Sequence, residues 1–475
     1  MMLRTTAMSL TAVLAFLLMP EGSGTSLGEG QLESEAGLRI THAVASGDVT
    51  HDSAVVWARA SAAGEMVVEY DMDPGFPNPG ERRTASSRES DFTAQVELES
   101  LRPGTRYHYR LHFVDLLGRV SRRQEGTFRT APDPDTAVPV SFVIGADLGG
   151  QRYCRQVGRG YEIFRRMEEL SPDFFIANGD MIYADDDCPE DGPDGWKNVP
   201  GGFPAITSPE VDWTDEAQVQ EVYWKHWRYN RADAHFQEFL RKTPVYVQWD
   251  DHEVINDFGA PWPTWPWDVD REGFPNLVAA GRRAFFHYHP MHHDPSEPNR
   301  IYRSFRWGAD LDLFLLDGRS YRSSNDLADG PSYQKTLLGR DQLEWLKQGL
   351  ASSPATWKVV SSDVPLSVPT GSRADLYGRD AWAKGLEDDY SSRTGFEREL
   401  LDLVTFLDAE GVRNVVFVAT DVHFAMSLRY EIDADGDGDR LLFHEFLSGP
   451  LNAGPRPTPL ELDPTLKPVI LYGEG

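Results

Sequence analysis

Between about Leu38 and Pro132 the hydrophobic residues come in short β-branched or aromatic runs, at 53–59, 66–70, 94–98 and 107–111. Turn-forming clusters such as Asp73-Pro74-Gly75 separate them. This texture predicts the strands of a small all-β sandwich. A joint rich in proline and aspartate at 131–135 ends it. Beyond the joint, apolar runs alternate with helical stripes. The run at 138–144 reads as a buried strand; Tyr161, Phe164, Met167 and Leu170 recur at helical spacing until Pro172, and 174–177 begins another strand. Further strand runs fall at 245–249, 311–316, 357–360 and 414–418, with amphipathic helices at 340–349 and 396–410. Strands alternating with helices predict an α/β layered domain.

Composition narrows the function. Among 475 residues, 46 are basic and 75 acidic, for a formal charge of −29. Binding nucleic acid or anionic lipid by counterion release needs a large basic surface, so no nucleic-acid partner is expected, and the partners are small molecules or cations. Two cysteines, Cys154 and Cys188, make no disulfide framework; in an exported protein they are either joined or free. Residues 1–26 carry Arg4, an apolar core at 7–19 and a small polar stretch, the pattern of a signal peptide, which predicts a secreted or periplasmic protein. A Gly- and Glu-rich linker comes next at 27–37, and no later stretch is apolar enough to span a bilayer, so the mature chain is expected to be soluble; a monomer is expected as well.

The chemistry lies in the residues directly after each strand. The runs end in Asp147; in Asn178-Gly179-Asp180 with Tyr183 close behind; in Asp250-Asp251-His252-Glu253; in Asp317 with Arg319 and Arg322; and in Thr420-Asp421-Val422-His423. Ligands bind outside the carboxyl ends of strands in open α/β sheets. One aspartate there is usually a turn or a cap. Five strands aiming acid, imidazole or phenol groups at one rim point to cations, because close carboxylates cannot all ionise alone. Oxygen and imidazole donors suit hard or borderline ions, and two such ions support phosphoryl transfer.

The ordered set Ala43-Val44-Ala45-Ser46-Gly47-Asp48, Gly179-Asp180-Met181-Ile182-Tyr183, Trp249-Asp250-Asp251-His252-Glu253, Leu316-Asp317-Gly318-Arg319-Ser320-Tyr321-Arg322, Asp421-Val422-His423-Phe424 and Ser448-Gly449-Pro450-Leu451 resembles the PhoD-like alkaline phosphatase and phosphodiesterase family of calcineurin-like metallophosphoesterases. The resemblance implies a four-layer α/β/β/α metallophosphatase domain at 138–475, preceded by an N-terminal β-sandwich at 38–132. It implies a metal-dependent phosphoric ester hydrolase with a dinuclear centre and metal-activated water. By resemblance, Asp180 bridges both metals; Asp147, Tyr183, Asp251, Asp421 and His423 are ligands; and His252 donates a proton to the leaving group. Ferric iron and calcium are the implied cofactors, with zinc or manganese as alternatives. Asp147 stands where many members place a cysteine, which shifts the site towards hard ions. Relatives often continue with a further β hairpin, which would leave the run at 469–471 as an open edge.

Arg319 and Arg322 are candidate catalytic residues that pin the phosphate, or else salt-bridged supports. The substrate is expected to be a small-molecule, lipid or polymer phosphate ester. Two alternatives stand beside this reading: a phospholipase D-like enzyme acting on larger diesters, and a catalytically dead surface-binding protein, against which the retained metal-type positions argue. The Leu-Arg-Pro-Gly-Thr turn at 101–105, feeding Tyr107-His108-Tyr109, resembles the tyrosine corner of fibronectin III-like sandwiches. Residues 433–439 resemble a calcium loop without its closing glutamate and are expected to form an acidic hairpin turn. His287, His289, His292 and His293 are expected at the surface, and Trp262, Trp265 and Trp267 form a rigid loop near the site or a packing plug.

Overall fold

A computed structural model describes residues 37–259, 273–330, 335–371, 378–383, 395–459 and 461–474. The signal segment at 1–26, nearly all of the linker and the Trp262, Trp265 and Trp267 loop lie outside the described residues. Seven strands come first: β1 Ile40–Gly47, β2 Ala54–Ala60, β3 Gly64–Asp71, β4 Gly80–Ser86, β5 Thr93–Leu98, β6 Arg106–Asp115 and β7 Gln124–Arg129. They form two facing sheets around Val44, Val56, Ala58, Met66, Val68 and Tyr109. Alternation explains the packing: Tyr107, Tyr109, Leu111 and Phe113 of β6 are buried, while the residues between them are not. At the predicted corner the Arg102 amide donates to Tyr107 Oη at 2.9 Å.

The first of these sheets does not stop at the sandwich. Strands β8 Phe142–Gly145, β9 Phe174–Asn178 and β10 Val245–Gln248 join it, in the order β5-β2-β1-β10-β9-β8. The junction is a parallel pairing of Gly47 with Val245. Only glycine fits there, because a Cβ on Gly47 would lie 2.4 Å from the Pro290 carbonyl oxygen and 2.5 Å from that of Val245. Leu38–Gly475 is accordingly one compact unit. Strand β8 begins later than the hydrophobic run at 138 suggests.

The second large sheet has the order β11-β12-β13-β14-β16-β15-β17. Its strands are β11 Arg303–Trp307, β12 Leu311–Leu315, β13 Trp357–Ser361, β14 Val415–Ala419, β15 Ala425–Ile432, β16 Leu441–Leu447 and β17 Val469–Glu474. The two sheets face each other through Phe174, Ile176, Tyr246, Leu313, Val359 and Val418. The alternate residues Phe175, Ala177, Val245 and Val247 meet a helical layer built from α1 Glu162–Glu169, α2 Glu216–Arg231, α3 Ala234–Lys242 and α4 Phe274–Tyr288. On the far side α5 Gly339–Ser352 and α6 Glu397–Ala409 cover Phe314, Val360, Val415 and Phe417. Four layers, α/β/β/α, result. Residues 433–440 link antiparallel β15 and β16, paired at Ile432 and Leu441, and the edge strand β17 leaves Val469 to Tyr472 about half exposed. Among the described residues no helix is long and apolar enough to cross a membrane.

The histidine segment departs from expectation. His289 is buried at the end of α4, where its Nδ1–H donates to the Phe285 carbonyl at 2.8 Å and its ring meets Trp227 edge-on. Burial holds its pKa well below the ordinary value. His287 is half-buried and accepts from Trp224 Nε1 at 3.2 Å. Only His292 and His293 lie at the surface. The reason is tertiary: α4 ends against α2, which the hydrophobic pattern alone does not show.

Candidate metal centre

Strands β8, β9, β10 and β14 deliver the residues after them to one rim, and most of these turns pass through a left-handed bend where the chain leaves the sheet. Backbone φ is 62° at Asp147, 50° at Asp180, 71° at Asp421 and 60° at His423. Aspartate and histidine tolerate this region better than branched residues, and such strain gathers at functional sites. Glu253, buried and part of the post-strand motif but given no role by the sequence, braces two of these turns by accepting from the amides of Asp180 (2.9 Å), Met181 (2.7 Å) and Asp250 (2.8 Å).

Two donor groups result. In the first, Tyr183 Oη lies 2.8 Å from His423 Nε2 and 3.4 Å from Asp147 Oδ1, and the latter two atoms are 3.3 Å apart. His423 Nδ1–H donates to the Gly454 carbonyl at 2.7 Å, which leaves Nε2 with its lone pair towards Asp147 and Tyr183. In the second group, single donor atoms of Asp180, Asp251 and His252, and likewise of Asp250, Asp251 and Asp421, lie within 4.8 Å of one another. Burial, then the neighbouring carboxylates led by Asp251, push the carboxyl of Asp180 far above its usual range. Asp421 is raised for the same reasons. Asp147 Oδ2 and Asp250 Oδ2 are buried without a hydrogen-bond partner among the described residues. Crowded, partly orphaned carboxylates beside an oriented imidazole fit a cation pair and are costly without one.

His252 stands at the mouth of this cluster, half-buried, with its ring tilted against Tyr183 at 3.9 Å between centroids. Its Nδ1 pairs with Asp185 Oδ1 at 2.6 Å. Burial alone would lower the imidazole pKa, but Asp185, Asp251 and Asp257 outweigh it and push it up to about 10. The cavity outside has a volume of about 280 Å3 and is walled by Gln151, His252, Asn256, Thr370, His423 and Arg456. A larger cleft of about 840 Å3, bounded by Val138, Phe142, Trp357 and Phe446, is lined mainly by apolar side chains and holds no arginine, lysine or histidine among the described residues.

Arg319 and Arg322 line neither cavity, so of their two expected roles phosphate pinning is set aside and the salt-bridged support remains. Both side chains have 0% exposure. Arg319 Nε bonds Asp250 at 2.6 Å and its Nη1 bonds Asp380 at 2.7 Å, while Arg322 Nη1 bonds the other oxygen of Asp380 at 2.7 Å. They form buried ion pairs behind the strand ends that carry the acid cluster. Asp317 also turns away, accepting from Trp249 Nε1 and from the amides of Arg319 and Ser320. Asp363, placed after β13 as the candidate ligands are placed after their own strands, completes the ion cluster and is findable by the same rule. Asp380 and Arg456 sit in loops, directly after no strand. Cys154 and Cys188 are joined, tying the loops after β8 and β9 together.

The PhoD-like phosphatase family matches residues 144–466, and the family's N-terminal domain matches 28–132. Alkaline phosphatase D of Bacillus subtilis (strain 168) is 26% identical over 442 residues, 87% of this chain and 70% of that protein. The fold is similar to a solved structure of PhoD, with a TM-score of 0.69 and 23% identity over 87% of this chain and 78% of that one. It is also similar to purple acid phosphatase PPD1 from yellow lupin (Lupinus luteus) seeds, with a TM-score of 0.56 and 14% identity over 91% and 67%.

Proposed function

The chain belongs to the PhoD-like phosphatase family and is a metal-dependent phosphoric ester hydrolase, and we propose that it works as an exported enzyme with a two-cation centre. Asp147, Tyr183 and His423 would hold one cation and Asp251 and Asp421 the other, with Asp180 available to both. The observation that carries this reading is the convergence of the six side chains, from four strands, on one rim where Asp147 Oδ2 has no hydrogen-bond partner among the described residues. An all-oxygen and imidazole set with a phenol and no thiolate suits ferric iron with calcium, and zinc or manganese as alternatives. Bound there, the cations would neutralise phosphoryl oxygens and acidify a water.

The chain's own residues do the rest. Asp185 holds His252 through Nδ1, which turns Nε2 towards the cavity to give its proton to the departing ester oxygen. Arg319 keeps Asp250 and Asp380 paired behind the ligands. The closed Cys154–Cys188 bond supports export to an oxidising compartment. The corner at Tyr107 supports a fibronectin III-like reading of the N-terminal β layers.

The test uses p-nitrophenyl phosphate and bis(p-nitrophenyl) phosphate with metal-loaded protein. Wild type should turn over, and Asp180→Asn should lose turnover and metal while keeping its fold by circular dichroism. A visible charge-transfer band separates a Tyr183–ferric centre from zinc or manganese. Full activity in Asp180→Asn would refute the assignment.

A further inference from the structure

After β16 the chain is fastened to residues of the proposed cation site. The amides of Asn452 and Ala453 donate to the Asp147 carbonyl at 3.2 and 2.9 Å. The Gly454 carbonyl accepts from the His423 ring at 2.7 Å, and the Gly454 amide donates to Gln151 Oε1 at 3.1 Å. The Arg456 amide then donates to the His423 carbonyl at 2.9 Å. Prolines 455 and 457 flank it and restrict the local φ angles. Arg456 is thus held on the backbone of a proposed ligand, with an exposed side chain at the cavity wall. It forms no ion pair among the described residues, and no other arginine or lysine there lines the cavity. The two arginines behind the site are already taken by carboxylates.

We propose that Arg456 binds the terminal phosphoryl oxygen left over by the cations and thereby selects phosphomonoesters over diesters. The inference rests on the two-cation reading above. A monoester presents three terminal oxygens and close to two negative charges; a diester presents two oxygens and one charge. With two terminal oxygens met by the cations, the third oxygen of a monoester needs a donor, and a guanidinium supplies a charged, bidentate one. A diester carries an alkylated oxygen at that position, with no charge for Arg456 to meet. The cavity, about 280 Å3, lies at the small end of ligand sites, which run from roughly 300 Å3 upward, and suits a phosphoryl group with a compact leaving group.

The experiment compares metal-loaded wild type, Arg456→Ala and Arg456→Lys, with metal content and melting temperature as controls. Inorganic phosphate binding is measured by calorimetry, and kcat/KM is measured on p-nitrophenyl phosphate and bis(p-nitrophenyl) phosphate. Arg456→Ala should weaken phosphate binding and lower kcat/KM on the monoester by roughly 10- to 100-fold, the worth of one charge-assisted hydrogen bond. The diester should change by less than about threefold, as expected of an exposed side chain with nothing to meet, and lysine should restore part of the monoester loss. Unchanged phosphate binding, or equal losses on both esters, would overturn the proposal. Phosphate binding needs no turnover. A wild type that binds phosphate through Arg456 but hydrolyses neither ester would therefore refute the hydrolytic centre, not the arginine's role.

Discussion

Replacing Arg319 with methionine tests whether the arginines behind the centre support the fold or touch substrate. The guanidinium has 0% exposure and makes close ion pairs with Asp250 (2.6 Å) and Asp380 (2.7 Å), with Asp363 at 3.7 Å and Asp251 at 3.8 Å. Methionine fills a similar volume and leaves those carboxylates facing one another. Two charge-assisted contacts contribute roughly 1.5 to 3 kcal/mol each, and breaking a buried pair costs about 3 to 5 kcal/mol. At roughly 2.1 cal/mol/K per residue over Leu38–Gly475, that loss lowers the melting temperature by roughly 3 to 5 °C. The assay is calorimetric melting of the metal-loaded protein, with metal content and turnover measured well below the transition. A support role predicts a lower melting temperature with weakened metal retention. If Arg319→Met melts within about 1 °C of wild type, as a surface change would, yet has lost turnover, the arginine acts on substrate and the structural assignment is wrong.

Other outcomes are equally definite. Asp185→Asn should lower kcat roughly tenfold or more with metal retained, and the alkaline limb of the pH profile should move to lower pH, since the lost carboxylate no longer holds up the His252 pKa. Reducing Cys154–Cys188, or replacing both with serine, opens a loop of 34 residues and should cost about 4 kcal/mol in urea unfolding. Burial pushes the Glu445 carboxyl from 4.5 up to about 7. The folded protein therefore keeps a proton that the unfolded chain has released, and stability falls as pH rises through that window, by about 3 kcal/mol in all. Glu445→Gln can still accept from Leu366 and meet Tyr430, so it should melt higher than wild type at pH 8 and lose that advantage at pH 4.

The strand runs at 174–177, 311–316 and 414–418 lie where β9, β12 and β14 form, because a buried strand is a local hydrophobic pattern. Placing Asp147, Asp180, Asp251 and Asp421 at one rim uses a second local signal, polarity directly after a strand. Asp363 obeys the same rule two residues beyond the end of β13, so its signal is local too. Helices α2 and α4 carry a weaker local signal, since α2 buries Tyr223, His226, Trp227, Asn230 and Arg231 alike. Arg456 has none, since its place comes from a crossing loop.

By itself the sequence determined the alternation of strands and helices and the candidate ligand set, whose acids after successive strands point to cations. Only tertiary structure decided that the sandwich sheet continues into the catalytic sheet at Gly47, that Arg319 and Arg322 face inward, and that Asp185 grips His252. The same holds for Tyr183 and His423, 240 positions apart yet within 2.8 Å of each other. The physical reason is range: periodicity and turn chemistry are written in neighbouring residues, whereas the partner of a buried charge is set by which distant strands the core brings together.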